Sequence, residues 1–306
     1  MSGTEALLQA YVTQFNADDE ETVINEIPNA EALQWMEENI PRISIPDAEI
    51  ERAYYFRWWT YRKHICNTPE GHVLTEFSAT GPLSWAHKYS AISCAAGHHI
   101  HEGQWLRNTG FLEEYIRFWY RYIPALRSYG NWLESAVGNF CRLKGDWSIG
   151  KQVLSGMVEA YRYAVEHNAH ESGLFFSIDD RDGQEYSVGG SGLRPTMNCY
   201  LYAAARTIAE IAEKVGENEL ANDFNRKADT LALKINTLLW DENARFYKTL
   251  PMWEKTDRIP EQRNAHQDAR EIIGYFPWAF HAAPEGRADA FTQLLDLQGF
   301  YGKVAP

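Results

Sequence analysis

Residues Gly173–Tyr202 read GLFFSIDDRDGQEYSVGGSGLRPTMNCYLY. The run opens aromatic, passes four carboxylates (Asp179, Asp180, Asp182 and Glu185), crosses Gly189, Gly190 and Gly192, and then enters a helical pattern. Ordinary connectors in compact domains are short and polar. This one is long, aromatic and acidic, the make-up of a loop that carries function. Acids on a loop between helices, with aromatic rings beside them, form the constellation expected of a sugar-cleaving site. The plainer alternative is a solvated acidic surface loop.

Outward from this loop, helical periodicity runs in both directions. Downstream, Thr196–Val215 places Leu201, Ala205, Ile208, Ala212 and Val215 on one stripe. Glu219–Trp240 does the same with Leu220, Phe224, Leu231, Ile235 and Leu238, and shorter helices are expected over Arg270–His281 and Arg287–Leu297. Upstream, Ile149–Glu166 carries a stripe of Leu154, Met157, Val158 and Tyr161, and Tyr129–Leu143 pairs with it. Phe111–Ile123 repeats Leu112, Tyr115, Ile116, Trp119 and Tyr122 at helical spacing, after a helix over Ala91–Leu106. Asp47 is placed to N-cap Ala48–Ile65, whose aromatics crowd more than one face. Asn29–Asn39 reads as a short helix, and residues 1–28 as an acidic arm or helix. Only Leu174–Ile178 and Arg245–Thr249 look extended. The sum is about ten helices in antiparallel pairs, joined alternately by tight turns and long loops. That layout is all-α and predicts an α/α toroid over residues 29–306, with inner and outer helices alternating around a pocket. An open solenoid would need a repeat of fixed period, and none is visible.

Composition narrows the ligand. The 306 residues carry a net charge of −13, which argues against nucleic acid and anionic membranes, since both require a basic patch. Aromatics make up 14% of the chain and include 11 Trp, in keeping with rings that stack on the apolar faces of sugars. A carbohydrate is the expected partner, with no organic cofactor. The four cysteines (Cys66, Cys94, Cys141 and Cys199) are far apart and read as thiols, not as a disulfide framework. No signal peptide or membrane-length apolar run is visible, so a cytoplasmic location is expected.

Several other motifs have two readings each. In GHHIHEG, His98 and Glu102 fall on one helical face, but the HExxH pattern of a metal site is missing; pocket-lining polar residues, His99 among them, are the alternative. The spacing of the Asp179–Asp182 run is not that of a calcium-binding EF-hand loop. Arg194 and Asn198 suit either sugar hydroxyls or loop tying. Arg270 and Glu271 either face the pocket or form an ion pair. Trp58, Trp59, Trp119 and Trp132 read as packing residues.

Four stretches together resemble the six-hairpin, (α/α)6 glycoside hydrolases, specifically the mannosylglycerate-hydrolase-like and processing α-glucosidase group. They are GPLSWAHKYS, DGQEYS with the following RPTMNCYLYAAARTIAEIAEKVG, LLWDENARFYKT, and IIGYFPWAFHA. The resemblance implies an inverting mechanism, in which one carboxylic acid protonates the leaving oxygen and a carboxylate about 6.5–9.5 Å away activates water. It puts the general acid at Glu185, where the family more often has Asp, and so leaves Asp182 as a rival. By the same resemblance Trp85, Lys88 and Tyr89 line the sugar pocket; His99, Glu102, Asp180, Arg194, Asn198 and Glu271 are expected as further substrate contacts from their places in the chain. The family's base lies C-terminal to the IIGYFPWAF segment, so it is expected beyond Pro306, with the last hairpin missing from this sequence. Two other functions remain open on the same fold: a sugar epimerase using His99 for proton transfer, and a non-catalytic carbohydrate-binding remnant.

Overall fold

A computed structural model describes residues 3–75, 86–184, 186–251, 269–297 and 299–302. Its longest helices start and stop where local chemistry says they should. Asp47 caps α3 (Ala48–Lys63) by accepting from the backbone N–H groups of Glu49 and Ile50, at 3.0 and 3.2 Å. Pro195, whose missing N–H is harmless in a first turn, opens α9 (Pro195–Val215). Gly216, at φ 86°, closes it in the left-handed conformation that a side chain would resist.

Helix α9 is buried almost all round, and a helix without a polar face belongs at the centre. Four helices line one cavity: α4 (Ser93–Gly103), α7 (Leu133–Lys144), α9 and α11 (Phe276–Ala279). They touch in that order, α4 on α7, α7 on α9, and α9 on α11. Behind them stand α5 (Gly110–Tyr120), α8 (Ser148–Asn168) and α10 (Asn218–Lys234), with α5 on α8 and both α8 and α10 on α9. The chain therefore alternates inner and outer helices, which is the toroid arrangement. The remaining helices are α1 (Gly3–Ala17), α2 (Ala32–Asn39) and α6 (Ile123–Leu126). Leu8, Val12 and Phe15 of α1 join the same core, where α1 meets α2 and α3. No helix among the described residues is long and apolar enough to cross a membrane.

Three expectations need correction. The stripe of α10 does not run on to Trp240, because Ile235–Leu239 widens into a π turn. The extra residue per turn rotates the face, leaving Leu238 39% exposed and Leu239 buried. The helix expected over Arg270–His281 shrinks to a 3-10 turn (Ile272–Tyr275) and the single turn of α11, since Pro277 cannot donate back into a preceding turn. Similarly, Ala288–Leu295 is wound as a 3-10 helix.

Short strands are also more numerous than the sequence suggests. β1 (Ile65–Thr68) pairs with β2 (Gly71–Leu74), β3 (Gly192–Leu193) with β6 (Leu250–Pro251), and β4 (Trp240–Asp241) with β5 (Phe246–Tyr247). Ser177 and Gly192 exchange backbone hydrogen bonds of 2.9 and 3.0 Å, which closes the neck of the acidic loop.

Candidate active site

The acidic loop is built around a buried guanidinium. Arg194, directly ahead of α9, has no solvent exposure. Its Nε donates to Asp182 Oδ2 at 2.5 Å and its Nη2 to Asp182 Oδ1 at 3.2 Å. Its Nη1 donates to Ser187 Oγ at 2.6 Å and the Gly190 carbonyl at 2.5 Å, with Asp179 at 3.6 Å. Thr196 Oγ1 donates to Asp182 Oδ2 as well. One arginine thus ties four loop positions together, using the forked geometry that suits it to a carboxylate. Asn198 repeats the pattern on the aromatic side of the loop. Its Oδ1 accepts from the Phe175 N–H at 2.8 Å, and its Nδ2 donates to the Phe175 carbonyl at 3.0 Å. Of the two readings of Arg194 and Asn198, sugar hydroxyls or loop tying, their bonds fit the second, since both are fully buried and bonded to protein.

Pinning the loop this way sets Asp182, Gly183 and Gln184 in the wall of a cleft of about 500 Å³. Helix α4 supplies Cys94, His98 and His99 opposite them, α9 supplies Tyr200, and α11 with its approach supplies Ile272, Ile273 and Phe276. The cleft runs into a larger cavity of about 680 Å³, with His98, Tyr200 and Phe276 shared between the two. Both volumes are of the size that small organic ligands occupy.

The other expected residues divide as follows. His99 lines the cleft, 8% exposed, and its Nδ1 stands 3.2 Å from the Tyr115 hydroxyl. Glu102 reaches the rim through Arg57, a lining residue whose Nη2 it holds at 2.5 Å. Glu271 likewise accepts from Gln184 Nε2 at 3.0 Å. Asp180 is exposed and accepts from the Tyr186 N–H at 3.0 Å within the loop. Lys88 and Tyr89 lie outside this cleft. Lys88 Nζ donates to Glu70 and to the Tyr122 hydroxyl, both at 2.8 Å, and Tyr89 reaches Glu70 at 3.3 Å. Those donors hold the Glu70 carboxyl down at about 2, the Lys88 hydrogen bond contributing most. Glu185 and Trp85 lie outside the described residues.

Sequence reasoning missed Arg57, Gln184, Tyr200 and Trp132 as cavity residues. Trp132, read as packing, lines the larger cavity and donates from Nε1 to His98 Nε2 at 3.3 Å. The available signal was α9 itself: a helix with apolar and aromatic residues on every face needs a second neighbour, here the cavity. In GHHIHEG each of the four polar side chains has its own partner, His98 with Trp132, His99 with Tyr115, His101 with Gln104 and Glu102 with Arg57. No group of three or more metal-ligating side chains occurs among the described residues.

Burial pushes the His99 imidazole down to about 3, with His64, Arg57 and His98 adding smaller effects of the same sign. The folded chain therefore holds His99 neutral where the unfolded chain takes up a proton, below about pH 6.5. Stability is lost as pH falls through that window, by about 2 kcal/mol between pH 8 and pH 5 from this group. His99→Gln removes the titration, so its stability difference from wild type should shrink by that amount over the same range. Denaturant melts at both pH values check this, and parallel pH dependence in the two proteins would contradict it.

Comparison with known proteins agrees with the toroid fold. A family model described as the mannosylglycerate hydrolase MGH1-like glycoside hydrolase domain matches residues 88–306. A solved structure titled "Sialidase" is similar over 98% of this chain at 32% identity, with a TM-score of 0.88. This chain covers 28% of that protein. A GH78 family rhamnosidase of Bacillus sp. GL1 is similar in fold over 67% of this chain and 22% of its own, at 17% identity and a TM-score of 0.51.

Proposed function

The chain belongs to the mannosylglycerate hydrolase MGH1-like glycoside hydrolases, and on that premise we propose that it hydrolyses a terminal O-glycosidic bond with inversion, using a carboxylic acid on the 179–192 loop as proton donor. One observation carries the reading. Arg194 and Thr196 fix Asp182 so that residues 182–184 form the wall of an aromatic-lined cleft, and Glu185 is the next residue in the chain. Asp182 is the anchor of this arrangement. Both of its oxygens accept from Arg194 and one from Thr196 as well, so the carboxylate is taken up by protein donors on the loop. Glu185 is the donor. It protonates the leaving oxygen while a second carboxylate takes a proton from the attacking water, and the two act on opposite faces of the sugar.

The side chains around the cleft fit a neutral sugar. Tyr200 and Phe276 offer ring faces, and Arg57, His98 and Gln184 offer groups that hydrogen-bond hydroxyls. Proton transfer by His99, as an epimerase would require, fits poorly, because a base must titrate near the working pH and burial holds this one at about 3. A carbohydrate-binding role without turnover is the remaining competitor.

The discriminating experiment follows the first product by proton NMR. Full-length protein would be mixed with the 4-nitrophenyl glycosides of mannose, glucose and rhamnose, in both anomeric forms. A nascent sugar of opposite anomeric configuration to the substrate is expected. Retained configuration would overturn the inverting mechanism, and binding without release of nitrophenol would point to the non-catalytic reading.

A further inference from the structure

The acidic loop is already closed at its neck by the Ser177–Gly192 bridge and tied from within by Arg194. It nevertheless has a third support, on the side of the loop that follows the cleft wall. Glu271 Oε1 accepts from Gln184 Nε2 at 3.0 Å. Its other oxygen lies against Gly189, so close that a Cβ added there would stand 2.6 Å from Oε2 and 3.2 Å from Thr249 Oγ1. The glutamate is therefore wedged between residues 184 and 189 and touches both ends of the segment that contains Glu185.

The wedge has a firm base. The Glu271 carbonyl accepts from the Gly274 N–H at 2.8 Å, which starts the 3-10 turn Ile272–Tyr275. Gly274 sits so near the Phe246 ring and the Tyr247 carbonyl that no side chain fits, and this seats the turn on β5. Ile272 and Ile273 of the same turn, like Gln184 itself, line the cleft. A rigid path thus runs from β5 through the turn to the residue preceding the proposed donor.

From this we infer that Glu271 is a positioning residue: through Gln184 and Gly189 it sets the distance of the 184–189 segment, and with it the general acid, from the bond being cleaved. The inference rests on the glycosidase reading above. A misplacement of about 1 Å in a reacting group costs about 10²-fold in rate, so a wedge of this kind controls turnover without touching substrate.

Leaving-group dependence separates positioning from general damage. A 2,4-dinitrophenolate departs without a proton, whereas 4-nitrophenol and, still more, an alkyl alcohol depend on the acid. Glu271→Ala and Gln184→Ala should each lower kcat on methyl or 4-nitrophenyl glycosides by about 10²-fold and on 2,4-dinitrophenyl glycosides by only a few-fold. The double variant should lose no more than either single one, and Glu271→Gln, which still accepts from Gln184, should restore most of the rate. Equal losses on both substrate types, or wild-type rates in Glu271→Ala, would overturn the inference. Glu185→Gln run alongside keeps the two claims apart. Undiminished turnover there removes the donor assignment, whereas an inactive Glu185→Gln with an unimpaired Glu271→Ala removes only the wedge. A readout free of turnover is amide hydrogen exchange. Residues 183–190 should exchange at least tenfold faster in Glu271→Ala with α9 unchanged, and unchanged exchange in that segment would count against the wedge.

Discussion

Glu185→Gln is expected to lower hydrolysis by about 10²–10⁴-fold, the range that general acid catalysis contributes, while leaving sugar affinity within a few-fold of wild type. The amide keeps the size and hydrogen-bonding reach of the acid but has no proton of suitable acidity. The variant should therefore bind and stall. The loss should be steepest for unactivated glycosides and should remove the alkaline limb of the pH–rate profile, which reports the donor's ionisation. Asp182→Asn provides the contrast. Its loss should appear as a lower melting temperature, because Arg194 would be left buried with only Asp179, at 3.6 Å, as a counter-charge. Kinetics with matched melting curves on the two variants separate donor from anchor. Wild-type turnover in Glu185→Gln would end the assignment of that residue.

Arg194→Ala is expected to cost about 3–5 kcal/mol of folding stability, the usual penalty for removing one partner of a buried ion pair. The reason is local. Asp182 would remain buried with a negative charge and only Thr196 and a distant backbone N–H for company, while Ser187 Oγ and the Gly190 carbonyl would lose their donor. Arg194→Lys should recover little, since an ammonium cannot fork across the Asp182 carboxylate and reach Ser187 and Gly190 together. Asp182→Asn combined with Arg194→Met should be more stable than Arg194→Ala alone, because the fully buried charge of Asp182 is removed together with its partner. Urea denaturation of the three variants tests this ordering. A loss below about 1 kcal/mol in Arg194→Ala would mean that the loop is not organised around the guanidinium.

The fold was legible because its signal is periodic. The stripes of α5 and α8 and the Asp47 cap need only local rules, and the structure bears them out. What escaped were departures from regular winding. The π turn at Ile235–Leu239 and the 3-10 turn at Ile272–Tyr275 are decided by what packs against them, Gly274 on β5 being the clearest case. The site was half legible. The acidic loop announced itself by composition, but that Asp182 is its anchor depends on a guanidinium arriving from beyond the loop's end. Arg194 could be named from sequence, yet only the structure shows it fully buried, with four N–H donations to the loop. Gln184 and Glu271 are distant in sequence, and no local pattern joins them.

The closed neck between Ser177 and Gly192 has a consequence for how this protein can change. With the neck joined by backbone and the interior tied to Arg194, residues at the outer edge carry almost none of the fold's stability: Ile178 is 57% exposed, Tyr186 90% and Val188 52%. Surface positions of this kind tolerate replacement within about 0.5 kcal/mol. The loop is thus an interchangeable cartridge, whose outer rim can be rewritten many times over while the neck and the Arg194 ties behind it stay in register.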